Sequence, residues 1–432
     1  MASNITTLRN PLSLTTSSPF VEAFSLKDVF PLICSHLGAY DLLQFTSSNK
    51  PLYIQVSSDS FLWNLLLQKC FPSLHVASQS DAKHPLEVYK HLTHVEKNMR
   101  TGTCQLKMLK GHQKRVTSIS TDGNRLISGS HDGRIKIWEV KSGKELQTLI
   151  RHRDQINCIL MDGDKFISAS ADGAIKIWDQ MSGKELQQML VSDRGLVNRL
   201  QGSVNSILIH KDKLISASSN GIITIWDPMS GKELQTLTHK GWISIILMHG
   251  DKLISVSDNT IKIWDLENGK EQTLTGHQGP ITSILVHEGR LFSCSCDHTI
   301  KIWNFESGEL LQTLTGHQDV VNHILMHGDQ LISASDDGTI KIWDPKSGKE
   351  LQTLIGHQDL KVQKILVYGN LLIAGLCNGK IKIWDLANGK ELQTLKGHKQ
   401  RIHSILMDEG KLISASDDCT IMIWDFDVPS SD

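Results

Sequence analysis

Eight times along the chain a tryptophan ends the same short phrase. The eight are Trp138, Trp178, Trp226, Trp264, Trp303, Trp343, Trp384 and Trp424, at spacings of 40, 48, 38, 39, 40, 41 and 40 residues. Six of the phrases read IKIW and the other two read ITIW and IMIW. A fixed period of this length constrains the fold more than composition does, because each copy must be one supersecondary unit that buries its faces against neighbouring copies.

The unit at 316–344, GHQDVVNHILMHGDQLISASDDGTIKIWD, has a strand-like pattern. ILM and QLISAS are apolar runs joined by the tight turn HGD, and DDGT is a second turn. TIKIW alternates, with Ile340 and Ile342 on one face and Lys341 and Trp343 on the other. KELQTL, after SGK, supplies a fourth run. Four short strands without a helical period predict a small antiparallel sheet, and four to eight such sheets packed radially close a ring.

The GH opening, the SASDDGTIKIWD ending and the period resemble WD repeats over residues 104–427, about three-quarters of the chain. The resemblance implies an all-β propeller with one blade per repeat, and a hydrogen-bonded His, Ser, Asp and Trp in each blade. In the quoted unit these are His317, Ser333, Asp337 and Trp343. His, Asp and Ser also form the residue set of a hydrolase triad. Their recurrence in unit after unit, with no unique nucleophile, predicts structure rather than catalysis.

Some units depart from the pattern. Asn220 and Asn378 replace the Asp of the third and seventh units, the third lacks GH and has about eight extra residues, and the fourth has TH. The last unit ends without a fourth run. CQLKML at 104–109 stands where KELQTL stands in later units, so these residues are expected to complete the last sheet beside 421–426, making eight blades and leaving no free edge there.

Residues 22–70 have apolar residues at helical spacing, among them Val29, Phe30, Ile33 and Leu37, then Leu42 and Leu43, then Leu62. With Leu26, Asp41 and the run Ser60-Phe61-Leu62-Trp63, this stretch resembles an F-box. It departs from the F-box pattern at Lys27, where Pro is usual, and in lacking an Arg/Trp-rich run at SSNKPLYIQV. The resemblance implies a small α-helical domain that docks a Skp-type adaptor, with Leu26, Val29, Phe30, Ile33, Leu37, Leu42, Leu43, Leu62 and Trp63 as adaptor-binding residues. The expected fold class is an all-β eight-bladed WD-repeat β-propeller with a small N-terminal α-helical F-box-like domain. The expected segments are a disordered leader (1–21), the F-box-like domain (22–70), a helical linker (71–102), the propeller (103–427) and a tail (428–432).

That order resembles the substrate receptors of SCF-type ubiquitin ligases. It implies a non-catalytic subunit bridging a cullin-RING core and a protein substrate inside a cell, in cytoplasm or nucleus. A scaffold without ligase association, or a bacterial effector acting in host cytosol, is the alternative. The formal net charge of −1 gives no reason to expect nucleic acid or an acidic membrane as partner. Eight cysteines without a CxxC pair and histidines scattered one per unit predict neither a disulfide framework nor a metal site, and no cofactor is expected.

Positions shared by every unit cannot select a partner. The WD resemblance places on one face of the ring the residues flanking each unit's opening Val or Ile and the residue before the turn Asp. There Arg115, Lys361 and Arg401, with His131 and His403, are expected to form a cationic patch across units 7, 8 and 1 that takes a phosphorylated or acidic peptide. Asp417 is expected to neutralise part of it, and ordinary surface charge is the competing reading. Trp242, an aromatic where sister units have none, is the second candidate, as an anchor or as a filler of the shortened fourth loop.

Overall fold

The computed structural model describes residues 85–191, 202–355 and 360–429. The chain divides into two compact units, and the described residues from His91 onward belong to the larger. The F-box-like stretch and all nine residues named for adaptor binding lie outside the described residues.

Among the described residues one helix, α1 (Pro85–Thr101), precedes thirty-two strands, β1–β32. Pro85 and Glu87 suit its first turn and Arg100 its last. Leu92, Val95 and Met99, at spacings of three and four, are buried. Gly102 ends it at φ +76°, a left-handed conformation that glycine adopts without a Cβ penalty.

The strands form eight four-stranded antiparallel sheets. Blade 1 is β2–β5 (116–149), blade 2 β6–β9 (156–190), blade 3 β10–β13 (204–238) and blade 4 β14–β17 (243–274). Blade 5 is β18–β21 (281–314), blade 6 β22–β25 (321–355) and blade 7 β26–β29 (362–395). Blade 8 is β30–β32 (402–425) completed by β1 (Gln105–Lys110). The closing pair is antiparallel, from Gln105 opposite Asp425 to Lys110 opposite Thr420. First strands touch from blade to blade all the way round, β30 meeting β2. The ring is an eight-bladed β-propeller closed by its own N-terminal strand.

Each sheet is covered on both sides, which explains why the Ile and Trp of every IKIW phrase are buried. Ile340 and Ile342 of blade 6 pack with Val362, Ile365 and Trp384 of blade 7. Trp343 packs on the other side with Phe292, Ile300 and Ile302 of blade 5. The alternation read from the sequence thus distributes one strand's side chains between two interfaces.

The closure has a second fastening. In blades 1 and 5 an outer-strand Gln donates to the Ser carbonyl in the next blade's Ser-Gly turn, as in Gln147 to Ser182 (3.4 Å) and Gln312 to Ser347 (3.2 Å). Blade 7 has no such turn ahead of it, and Gln393 donates to the Arg100 carbonyl (3.1 Å) beside Gly102. The last turn of α1 therefore takes the place of a blade turn. Asn98 fixes it further, donating to the carbonyls of Phe426 (2.8 Å) and Val428 (2.9 Å), and Arg100 pairs with Asp385.

Candidate substrate-binding face

The repeated network builds the frame. In blade 6, His317 Nδ1 lies 2.8 Å from Asp337 and Nε2 2.7 Å from Ser333 Oγ, and that oxygen accepts from Trp343 Nε1 (2.8 Å). The same four-residue arrangement occurs in blades 1, 2, 5 and 8, at His112, His152, His277 and His398. Burial raises the pKa of the aspartates, but hydrogen bonds from His, from backbone N–H groups and, foremost at Asp297, from the Thr299 hydroxyl outweigh it and hold Asp132, Asp172 and Asp297 at about 2.

In blade 4, His239 contacts Ser255 (3.2 Å) and Thr260 (3.1 Å). In blade 3 the Trp226–Ser216 bond (2.8 Å) remains. In blade 7, Ala374 stands where sister blades have Ser, and Asn378, like Asn220 of blade 3, where most of them have Asp.

Every first strand begins with a bulge immediately after its opening Val or Ile, as between Val321 and His323. A bulge re-aims a side chain, and here it turns the bulged residue along the ring. Thr117 donates to Ile156 O (2.6 Å), Asn157 to Val204 O (2.9 Å), Asn205 to Ile243 O (3.1 Å), Thr282 to Val321 O, and Asn322 to Val362 O (2.9 Å). Each bond ties one blade to the next.

Blades 4, 7 and 8 depart from this belt. Ser244 turns back to Val256 O of its own blade (3.5 Å). Gln363 donates to Asp336 (2.9 Å) and accepts from Arg401 Nε (2.8 Å). His403 Nε2 lies 2.6 Å from Asp417. The bulge residues of blades 7 and 8 thus serve a polar cluster on the rim.

Of the six residues named for this face, four come together there. Arg115 is exposed, and its Nε donates to the His131 ring (3.0 Å). Burial lowers the pKa of His131, with Arg115 and His403 adding to the effect. Burial likewise lowers His403, with Asp417 opposing and Arg401 and Arg115 reinforcing. Arg401 is exposed, held through Nε by the neutral Gln363. Among the described residues neither Arg115 nor Arg401 has an ion-pair partner. Asp417 lies beside Arg401, its backbone N–H donating to Arg401 O (2.9 Å), and its carboxylate engages His403.

Lys361 reaches that cluster only through Asp336 and Gln363, and Trp242 lies apart from it. The Lys361 ammonium sits 2.6 Å from Asp336 of blade 6. Trp242 is 58% exposed on blade 4, half a turn of the ring from blade 8. Asp336 and Gln363, which direct Lys361 and Arg401, are the residues that the sequence reading missed; both were visible as variable positions, but their pairing across blades was not.

The fold and rim define a ring that presents a variable polar face and holds no metal-binding cluster among the described residues. Seven segments, 103–139, 143–179, 231–265, 269–304, 308–344, 348–385 and 389–425, match the family described as WD domain, G-beta repeat. They make up more than half of the chain, which belongs to the WD-repeat family. The crystal structure of the computationally designed Ika8 protein is similar, with a TM-score of 0.66 and 28% identity over 73% of this chain and 98% of that one.

Curated relatives include proteins named probable E3 ubiquitin ligase complex SCF subunit sconB. The Aspergillus clavatus protein is 41% identical over 63 residues, 15% of this chain and 9% of its own length. The Aspergillus terreus protein is 43% identical over the same shares, and that of Talaromyces marneffei 41% identical over 15% and 10%. The match spans about a tenth of the length of these relatives. Among the described residues no helix is long and apolar enough to cross a membrane.

Proposed function

We propose that the chain is a non-catalytic substrate receptor of an SCF-type ubiquitin ligase. The F-box-like stretch 22–70 docks a Skp-type adaptor through Leu26, Val29, Phe30, Ile33, Leu37, Leu42, Leu43, Leu62 and Trp63. The propeller rim binds a phosphorylated or acidic segment of the target protein. The observation that carries the rim assignment is the pair of guanidinium groups on blades 8 and 1. Each is held through Nε by a neutral acceptor, which leaves its remaining N–H donors for a carboxylate or phosphate. His131 and His403 border the pair, while Lys361 is already engaged by Asp336. The names of the sconB relatives support the ligase assignment.

Two measurements test the two halves separately. Immobilised full chain is expected to retain a purified Skp-type adaptor, and Leu26→Ala with Trp63→Ala to lose it. Equal retention removes the ligase half and leaves a WD-repeat scaffold. Capture of a ubiquitylated target is expected to weaken by about tenfold or more for Arg115→Ala or Arg401→Ala, and far less for Lys361→Ala. Unchanged capture by both Arg variants removes the rim half.

A further inference from the structure

Below the rim, each first strand has one residue two positions beyond its opening Val or Ile. They are Ser118, Cys158, Ser206, Ile245, Ser283, His323, Lys364 and Ser404. Their cross-strand partners fall at one register, Gly129, Ala169, Ala217, Val256, Cys294, Ala334, Gly375 and Ala415. The eight occupy one tier of the innermost strands around the ring, with side chains reaching the next blade, as where Ser118 Oγ accepts from Ile159 N (2.9 Å). The tier contains one lysine, one histidine and no carboxylate.

Lys364 is partly buried and forms no hydrogen bond or ion pair among the described residues. Burial pushes its amine below the usual lysine pKa, with Cys294 opposing. Its charge acts on His323 of blade 6 and on Cys294 of blade 5, so the ammonium is within reach of the two preceding blades. Neither supplies a counter-charge. Burial pushes the Cys294 thiol up to about 12, and burial with Lys364 pulls His323 down to about 3. Both are neutral at pH 7.

His323 adds a second, independent observation: its Nδ1 is buried without a hydrogen-bond partner. Leaving that nitrogen unprotonated puts the single N–H of the neutral ring on Nε2. In blade order around the tier, Ser283 precedes His323 and Ser404 follows Lys364, so the positions bordering the lysine carry neutral side chains with N–H or O–H donors. An unpaired ammonium in a desolvated wall is unfavourable, and a counter-ion relieves it.

We propose that this tier is a binding site for a small inorganic oxyanion of the phosphate or sulfate class, held by Lys364 Nζ with His323, Ser283 and Ser404 as neutral donors. The site is separate from the rim and does not depend on the receptor reading above. It gives the propeller a structural anion that lies across blades 5 to 8, beside the seam where the ring closes.

Thermal unfolding of the full chain in sodium phosphate, in sodium sulfate and in sodium chloride of matched ionic strength tests it. At about 10 mM oxyanion the midpoint is expected to rise by about 2 °C over chloride. Lys364→Met should fold, since it removes a charge from the interior, and should lose that rise. Lys364→Arg should keep most of it, and His323→Leu should weaken the apparent affinity by about fivefold. The Arg115→Ala, Arg401→Ala double variant should respond as the parent does. A parent without an oxyanion response, or a Lys364→Met variant that keeps the full response, overturns the site. Loss of the response in the rim variant alone moves the anion to the rim and overturns it equally.

Discussion

Blades 6 and 7 are neighbours that share the IKIWD and KELQTL runs, yet they are held together differently. Blade 6 has the full network, His317, Asp337, Ser333 and Trp343 joined at 2.7–2.8 Å. Blade 7 has Ala374 for the serine and Asn378 for the aspartate, and its Trp384 is still buried. What changes is the second strand. Strand β27 (Leu371–Leu376) is buried at all six positions, whereas β23 (Gln330–Ser335) begins with an exposed Gln330. Leu376 replaces the serine equivalent to Ser335. A satisfied polar network and a well-packed apolar one of the same shape can be nearly equivalent in free energy. The polar network is therefore one solution to blade packing, and the tryptophan common to both is the less replaceable part.

That reading fixes the largest expected effect. Trp343→Ala and Trp384→Ala should each cost about 3–5 kcal/mol, because each empties a large buried site between two blades. Urea unfolding of the two variants gives the comparison. A Trp384→Ala cost under half that of Trp343→Ala would mean that apolar packing in blade 7 does not depend on its tryptophan.

Blade 4 sharpens the contrast through pH. His239 has its hydroxyl contacts but no hydrogen bond to a carboxylate among the described residues, and burial, with Lys262 adding and Glu271 and Asp258 opposing, pulls its pKa down to about 4. The unfolded histidine titrates near 6.5. The unfolded chain therefore takes the proton first as pH falls. Stability from this group is complete above about pH 6.5 and is lost progressively towards pH 4, at most about 3 kcal/mol. His239→Gln should flatten that part of the stability–pH curve. The aspartates of the complete blades act lower down: Asp132, held at about 2, contributes above the usual carboxylate pKa and loses its contribution as pH falls towards 2. An unchanged slope between pH 6.5 and 4 in His239→Gln would place the acid sensitivity on other histidines.

Ser333→Ala copies the blade 7 residue into blade 6 without its compensating neighbours. Trp343 Nε1 and His317 Nε2 would both lose their bond to a buried oxygen, at a cost of about 1–3 kcal/mol. A loss below about 0.5 kcal/mol in urea melts would mean that the serine is as dispensable in blade 6 as in blade 7.

The ring was legible because its signal is repeated eight times. The closing strand was legible as well, since CQLKML stands where KELQTL stands elsewhere and β1 pairs with β32 in that register. The rim was harder to read. Which variable residues share a face follows from the repeat, but Arg401 to Gln363, Lys361 to Asp336 and His403 to Asp417 are choices among side chains of several blades, set by reach and by bulge geometry. Lys364 escaped notice for the opposite reason: it sits at a position where the other blades carry small, apolar or neutral residues, and its isolation shows only once the tier is assembled.

The smallest effect is the reverse exchange. In blade 7, Ala374 lies opposite Lys382 as Ser333 lies opposite Lys341. The frames match, so a serine at 374 would sit where Ser333 accepts from its tryptophan and approaches the Lys341 carbonyl (3.4 Å). Ala374→Ser would offer Trp384 Nε1 an acceptor, while Asn378 would still lack the charge that anchors the histidine in blade 6. One neutral hydrogen bond set against the desolvation of one hydroxyl should stabilise by no more than about 1 kcal/mol. Urea midpoints resolve that difference when the denaturant slope is unchanged. A destabilisation of about 1 kcal/mol or more would show that blade 7 has closed around its apolar residues, and that the two blades are no longer interchangeable frames.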